Sequence, residues 1–208
     1  MHLKRSALPG MVLMYLAVAA AAFGWAYVDG RPCLLLHPAA APRTGLADVG
    51  IQAVTGMLAG LLLSGVAWQL SRAVTWFGQV DDFFTTIMGN FSTAEMAVMV
   101  VVGSTAEELF FRGAIQPGVG LVWQALIFGA LHTGPRRLMV FLLPWTLMAV
   151  AFGLLSGFLF QYTGTLMASV AAHLAVNTVG FVRLKRRMKT QDPKNLEDIM
   201  SRLNDPDP

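Results

Sequence analysis

The feature that most constrains the fold of this chain is its series of apolar stretches, several of them long enough to cross a lipid bilayer as a helix. A bilayer core about 30 Å thick requires about 20 mostly apolar residues in a helix. Of the 208 residues, 55% are hydrophobic and only 13% are charged, well away from the averages of soluble domains. The sequence therefore predicts an all-α fold, a polytopic membrane helix bundle of about six transmembrane helices.

Prolines, glycines and polar intervals separate the apolar spans. A proline-containing loop occupies 29–50, the Pro-Gly pair at 117–118 precedes the fourth span, and the Thr-Gly-Pro sequence at 133–135 ends it. Asp81 and Asp82 mark a polar interval that is expected to hold a short interfacial helix. The predicted spans are 11–28, 51–68, 94–111, 119–133, 138–160 and 166–182.

Basic residues gather near the chain ends and in short loops, which indicates a membrane topology rather than a nucleic-acid-binding surface. Lys4 and Arg5 precede the first span, and five basic residues lie within 183–189. By the positive-inside rule, six spans then place both termini in the cytoplasm. The first span also has features of a cleavable signal peptide, but it is expected to remain as an anchor because apolar residues continue past its alanines. The chain divides into a basic N-terminal segment at 1–10, a transmembrane domain at 11–183 and a polar cytoplasmic tail at 184–208.

A small set of polar side chains interrupts the apolar spans. An ionisable residue at bilayer depth costs about 3 kcal/mol, so it is a candidate functional residue by default. A helical rise of about 1.5 Å per residue, counted from the turns on the far side, places four polar residues at one depth, about 14 to 20 Å from those turns. These residues are Glu107, His132, His173 and Asn177. Their convergence from three helices is what a catalytic site buried in a membrane requires.

Two adjacent glutamates carry the acidic part of this set. Glu108 and Arg112 have the i,i+4 spacing of an ion pair, which would neutralise one carboxylate. Glu107 would then remain available to take up and return a proton. A purely structural ion pair in a polar seam is the alternative, but one arginine neutralises only one of the two glutamates. The pair therefore favours a functional site.

The same i,i+4 spacing recurs at the histidines. His173 and Asn177 project from one face of the last span, where both side chains can donate hydrogen bonds. Phe128 and His132 repeat the spacing on the fourth span, where the phenyl ring could hold the imidazole in one orientation. Each histidine alone could also be a structural residue, since polar side chains join helices inside membranes.

Two pairs of glycines have the small-xxx-small spacing that allows helices to approach closely. They are Gly56 with Gly60 and Gly153 with Gly157. We expect both pairs to mark helix contacts within the bundle rather than a dimer interface.

Three sequence motifs together resemble one known family of membrane proteins. They are Glu-Glu-Leu-Phe-Phe-Arg at 107–112, Phe-Gly-Ala-Leu-His at 128–132 and His-Leu-Ala-Val-Asn at 173–177. This combination resembles the CPBP family, the CAAX prenyl endopeptidase-like and bacteriocin-processing proteins, whose motifs EExxxR, FxxxH and HxxxN occur in that order. Each motif alone is weak, but three ordered motifs on separate spans are specific. The resemblance covers about 94–182, which would be the catalytic core of the transmembrane domain.

The resemblance implies a glutamate-type intramembrane endopeptidase, a protease that uses no metal and no other cofactor. Glu107 and His132 would activate the water that attacks the scissile carbonyl. His173 and Asn177 would form the oxyanion hole. The supporting residues would be Glu108, Arg112 and Phe128.

The resemblance also implies a membrane-anchored protein or peptide as substrate, within the bilayer of a bacterial cytoplasmic (inner) membrane, and no nucleic acid as partner. Eukaryotic members of the family remove the last three residues of prenylated proteins. Some bacterial members, including the myxosortase group, are sorting proteases that process C-terminal anchors consisting of a short motif, an apolar helix and a basic tail. This chain is shorter than relatives with eight spans, and a compact chain would suit the sorting role.

Two other classes of function stay open on the sequence alone. The first is a zinc-dependent hydrolase whose ligands would come from the two glutamates and from His132 and His173. The single cysteine, Cys33, excludes a cysteine-built cluster, and sensitivity to a chelator would test the zinc site. The second is a non-enzyme: a proton-coupled transporter, which should show repeat symmetry, or an immunity or scaffold protein, which should have lost catalytic residues.

Overall fold

The computed structural model describes residues 8–31, 33–88 and 91–188, and this part of the chain is mostly helical. Its one β-type pairing is an isolated bridge between Leu36 and Thr165. The predicted all-α membrane bundle is confirmed. Lys4, Arg5 and the tail from 189 onward lie outside the described residues. The α-helices are α1 (Leu8–Val28), α2 (Leu46–Ala73), α3 (Thr75–Met88), α4 (Thr93–Glu108), α5 (Gln116–Val119), α6 (Leu121–Leu131), α7 (Leu143–Thr163) and α8 (Met167–Met188).

The predicted spans are only partly matched in length. Within the described residues, α1, α2, α7 and α8 are long and apolar enough to cross a membrane. The third predicted span is longer than expected, because α4 continues through a π-helical stretch, Leu109–Ile115, directly into α5. The fourth is shorter, since the 11 residues of α6 extend only about 16 Å.

The break between the third and fourth helical segments lies at Gly120, at the end of the predicted turn region 117–120 and after the Pro-Gly pair. Gly120 has a φ of +83°, which favours glycine and turns the chain. Pro117 has no backbone N–H, so the Gly113 carbonyl lacks its usual i+4 donor. Arg31 donates instead to the Gly113 and Ala114 carbonyls, at 2.8 and 2.5 Å. A side chain thus replaces the missing donor, and the helix continues through the proline.

Close packing between α2 and α8 forms the largest helix contact of the bundle. A Cβ atom on Gly56 would lie 2.0 Å from the Ala168 carbonyl oxygen, and one on Gly60 would lie 2.4 Å from that of Ala172. The predicted close contact at Gly56 and Gly60 is therefore confirmed. Gly153 also packs on its neighbour, since a Cβ there would lie 2.9 Å from the Ala125 Cα atom.

We predict that Gly56→Ala lowers the free energy of unfolding by about 1–3 kcal/mol, because the new methyl group meets a backbone carbonyl that cannot move away. Gly65→Ala on the same helix is the matched control, since a Cβ at Gly65 has no neighbour within 4 Å. Thermal unfolding of both purified variants in detergent checks the prediction. Equal melting temperatures for the two variants would contradict it.

The last helix is longer than the predicted span because its basic end is held by neighbouring helices. Arg183 donates to Asp81 at 2.6 Å and to Ser71 at 2.7 Å. Arg187 binds Asp81 at 3.1 Å and Asp82 at 2.9 Å. The expected short helix around the two aspartates is α3, and these contacts join it to α2 and α8 at one end of the bundle.

Candidate active site

One cavity of about 690 Å³ is lined by the four polar residues that were predicted to lie at one depth, whereas Glu108 and Arg112 are not on its walls. Its walls include residues from α1, α2, α3, α4, α6, α7 and α8, and most of them are apolar. The structure thus brings together side chains from three separated motifs. The site residues on its walls are Glu107, Phe128, His132, His173 and Asn177.

Glu108 is fully buried and is held by one ion pair and two hydrogen bonds. Its side chain has no exposed surface, and Arg112 Nη1 lies 3.0 Å from Oε1, which confirms the predicted ion pair. His173 Nδ1 lies 2.7 Å from the same oxygen, and Ser156 Oγ donates to Oε2 at 2.7 Å. This carboxylate therefore joins α4, α7, α8 and the π-helical stretch.

Glu107 has the opposite environment to its neighbour. Its side chain keeps 18% of its surface exposed, on the wall of the cavity, and the His173 Nε2 atom lies 3.8 Å from its Oε2 atom. Among the described residues no hydrogen bond reaches this carboxylate. Of the two glutamates, Glu107 is the one that a substrate or a water molecule can approach.

His173 lies between the two glutamates, and its orientation follows from its hydrogen bonds. Because a carboxylate only accepts, the bond to Glu108 assigns a proton to Nδ1 and turns Nε2 toward Glu107. Asn177, one turn further along α8, donates to Ser104 Oγ at 3.0 Å. Both side chains face the cavity from the same side of α8, as the spacing predicts.

His132 ends α6 and is oriented by the residue one turn before it. Its Nδ1 lies 2.7 Å from the Phe128 carbonyl oxygen, and the two rings pack at 4.3 Å between centroids. A carbonyl oxygen only accepts, so Nδ1 carries the proton and Nε2 is the nitrogen that can take one. His132 and Glu107 share the cavity, but no direct hydrogen bond joins them among the described residues.

Arg112 is fully buried beneath the site, in the π-helical stretch. Its guanidinium carbon lies 4.7 Å from the ring centroid of Phe128 and 5.3 Å from that of Phe152. Aromatic faces attract a cation, most strongly away from water. The Glu108 carboxylate and these rings together hold a charge that bulk solvent does not reach.

Several residues of the site could not be found from the sequence. Ser156 is separated from Glu108 by 48 positions, and no periodic pattern links the two. Ser104 is one turn before Glu108 on α4, a spacing that could have drawn attention, but its partner Asn177 is 73 positions away.

The described residues contain no cluster of three or more histidine, cysteine, aspartate or glutamate side chains placed to hold a metal ion. The four candidate zinc ligands of the alternative hypothesis are thus not arranged as a ligand set. Cys33 is exposed.

Comparison with known proteins gives a family match that covers the site. Residues 88–179 match the family model described as Type II CAAX prenyl endopeptidase Rce1-like, and this segment contains all three motifs. The uncharacterized protein YpbD of Bacillus subtilis (strain 168) is 35% identical to the chain over 97 residues, which are 47% of this chain and 49% of YpbD. The chain thus aligns with about half the length of this curated relative. No solved structure matches the chain significantly.

Proposed function

We propose that the chain, whose residues 88–179 match the Rce1-like family model of CAAX prenyl endopeptidases, is an intramembrane endopeptidase of the glutamate type. The observation that carries the proposal is the unequal environment of two adjacent carboxylates. Glu108 is sealed and paired, whereas Glu107 faces a cavity that it shares with two histidines and an asparagine. Activation of water requires a base that water can reach, which is Glu107, held in place here next to the buried and paired Glu108.

In the proposed reaction, Glu107 takes a proton from a water molecule while His132 Nε2 accepts the second hydrogen of that water as a hydrogen bond. The resulting hydroxide attacks the scissile carbonyl carbon and forms a tetrahedral oxyanion. Glu107 then returns the proton to the leaving nitrogen as the C–N bond breaks. A base and a positioned partner of this kind contribute about 10²–10⁴-fold to the rate.

His173 and Asn177 are the proposed donors to the oxyanion. With Nδ1 already bonded to Glu108, His173 donates through Nε2 only as an imidazolium. Glu108 is placed at 2.7 Å to balance that positive charge. The Asn177 carboxamide supplies the second donor from one turn along the same helix.

We predict that His173→Ala and Asn177→Ala each lower kcat by about 100-fold and change KM much less, because an oxyanion donor acts mainly in the transition state. Thr178→Ala, at an exposed neighbouring position of α8, is the control. The assay measures kcat and KM for a quenched fluorescent peptide with a farnesylated cysteine followed by three apolar residues. An unchanged kcat would exclude either residue from the oxyanion hole.

The proposed substrate is a membrane-anchored or lipidated protein that is cleaved near its C-terminal region. The cavity walls support an apolar substrate segment, since they include apolar residues such as Phe77, Val80 and Leu142. Within this class, sorting of C-terminal anchor signals is the narrower form of the proposal.

Mass spectrometry of membrane proteins tests the proposed function in cells that carry the wild-type chain or Glu107→Gln. We expect a defined precursor to keep its C-terminal region only in the Glu107→Gln cells. Identical precursors in both cells, with the variant normally inserted, would contradict the protease and favour a non-enzymatic protein.

A further inference from the structure

Tyr15 of α1 extends the site beyond the segment that matches the family model. Its side chain lines the same cavity as Glu107. The ring packs directly on Gly103 of α4, where a Cβ atom would lie 2.9 Å from Tyr15 Cζ and 3.2 Å from its hydroxyl oxygen. Only a residue without a side chain leaves room for this ring.

The position of Gly103 places the Tyr15 hydroxyl against the face of α4 that carries Glu107. Gly103 precedes Glu107 by one helical turn, so the two share a face of α4. Helical side chains lean toward the N-terminus and cover the preceding turn. The Glu107 side chain therefore extends toward Gly103, the residue on which the Tyr15 ring packs.

The two glutamates differ in the partners that hold them, and in the described part of the chain Glu107 lacks a hydrogen-bond donor. Glu108 is held by Arg112, His173 and Ser156, whereas Glu107 has only His173 Nε2 nearby, at 3.8 Å. Among the described residues no hydrogen bond engages the Tyr15 hydroxyl either. A phenol donor and a carboxylate acceptor, both without a hydrogen bond among the described residues, thus line the same cavity.

We propose that Tyr15 is a positioning residue for Glu107. Its hydroxyl donates to the Glu107 carboxylate, directly or through one water molecule, and holds one carboxylate oxygen toward the attacking water. This inference rests on the proposed function, because it assigns a role within the same reaction. It adds a residue of α1 to a site whose motifs all lie between residues 107 and 177.

The test measures kcat and KM of Tyr15→Phe on the farnesylated fluorescent peptide. The substitution removes one oxygen and keeps the ring, and we expect kcat to fall about tenfold with KM unchanged, as for a lost hydrogen bond to a charged group. Tyr27→Phe is the matched control, since Tyr27 is on the same helix and 87% exposed. An unchanged kcat in Tyr15→Phe, with wild type active and Glu107→Gln inactive, would overturn the inference alone.

Gly103→Ala separates positioning from packing. Its methyl group displaces the Tyr15 ring, so we expect a similar fall in kcat. The double variant Gly103→Ala/Tyr15→Phe should then be no slower than the slower single variant, because both substitutions remove the same interaction between Tyr15 and Glu107. Multiplying effects on kcat would overturn the positioning role. Equal cleavage by wild type and Glu107→Gln would instead overturn the proposed function and this inference with it.

Discussion

Glu107→Gln is expected to lower kcat by about 10³-fold, and His132→Ala by about 10²–10⁴-fold, with little change in expression or membrane insertion. Glutamine keeps the shape of the side chain but takes up no proton. Neither residue holds the bundle together, since Glu107 makes no hydrogen bond among the described residues and His132 bonds within its own helix. Chemistry and folding are therefore separable at these two positions.

The farnesylated fluorescent peptide provides the kinetic measurement for both variants. His37→Ala is the control for His132→Ala, because His37 lies in the loop after α1 and does not line the cavity. Retained activity in either variant would remove the assignment of water activation. Loss of wild-type activity with a chelator, and its recovery with zinc, would favour the metal-dependent alternative.

The local geometry of the site could be predicted from the sequence because helical spacing determines it. The ion pair of Glu108 with Arg112 and the shared face of His173 and Asn177 follow from i,i+4 positions, whatever the tertiary structure. The expectation that polar residues at one depth converge also holds, since His132 shares the cavity with them.

The remaining features depend on contacts between distant segments, which no local pattern encodes. The π-helical stretch Leu109–Ile115 replaces the expected end of the third span, and Arg31, from outside the motifs, supplies the donors that let the helix continue. The approach of Tyr15 to Gly103 requires the packing of α1 on α4. Hydropathy predicts that such helices exist but not which faces meet.

The structure also changes the role that is proposed for Glu108. The sequence predicts a partner for Arg112 alone, whereas the carboxylate also orients His173 through Nδ1. A carboxylate bonded to one imidazole nitrogen fixes the tautomer and aims the other nitrogen, here toward Glu107. Glu108 is thus a support of the bundle and, in the proposed mechanism, the residue that sets the donor direction of the oxyanion hole.

Glu108→Gln is expected to lower the free energy of unfolding by about 3–5 kcal/mol, because it leaves the Arg112 cation buried without its counter-ion. Arg112 has no exposed surface, so water does not compensate for the lost charge. The adjacent Glu107→Gln is the matched control: the same chemical change at a partly exposed site should alter stability by no more than about 0.5 kcal/mol. Denaturant titration in detergent micelles measures both, and equal stabilities would contradict the assignment of Glu108 as the structural carboxylate.

The double variant Glu108→Gln/Arg112→Met separates the cost of an unpaired charge from that of lost packing. Removing both charges should restore much of the stability lost in Glu108→Gln, because a buried ion pair adds little over an apolar pair of similar volume. Catalysis should not recover, because His173 still lacks the anion that orients it. Recovery of kcat together with stability would show that Glu108 serves the bundle alone and that His173 keeps its orientation without it.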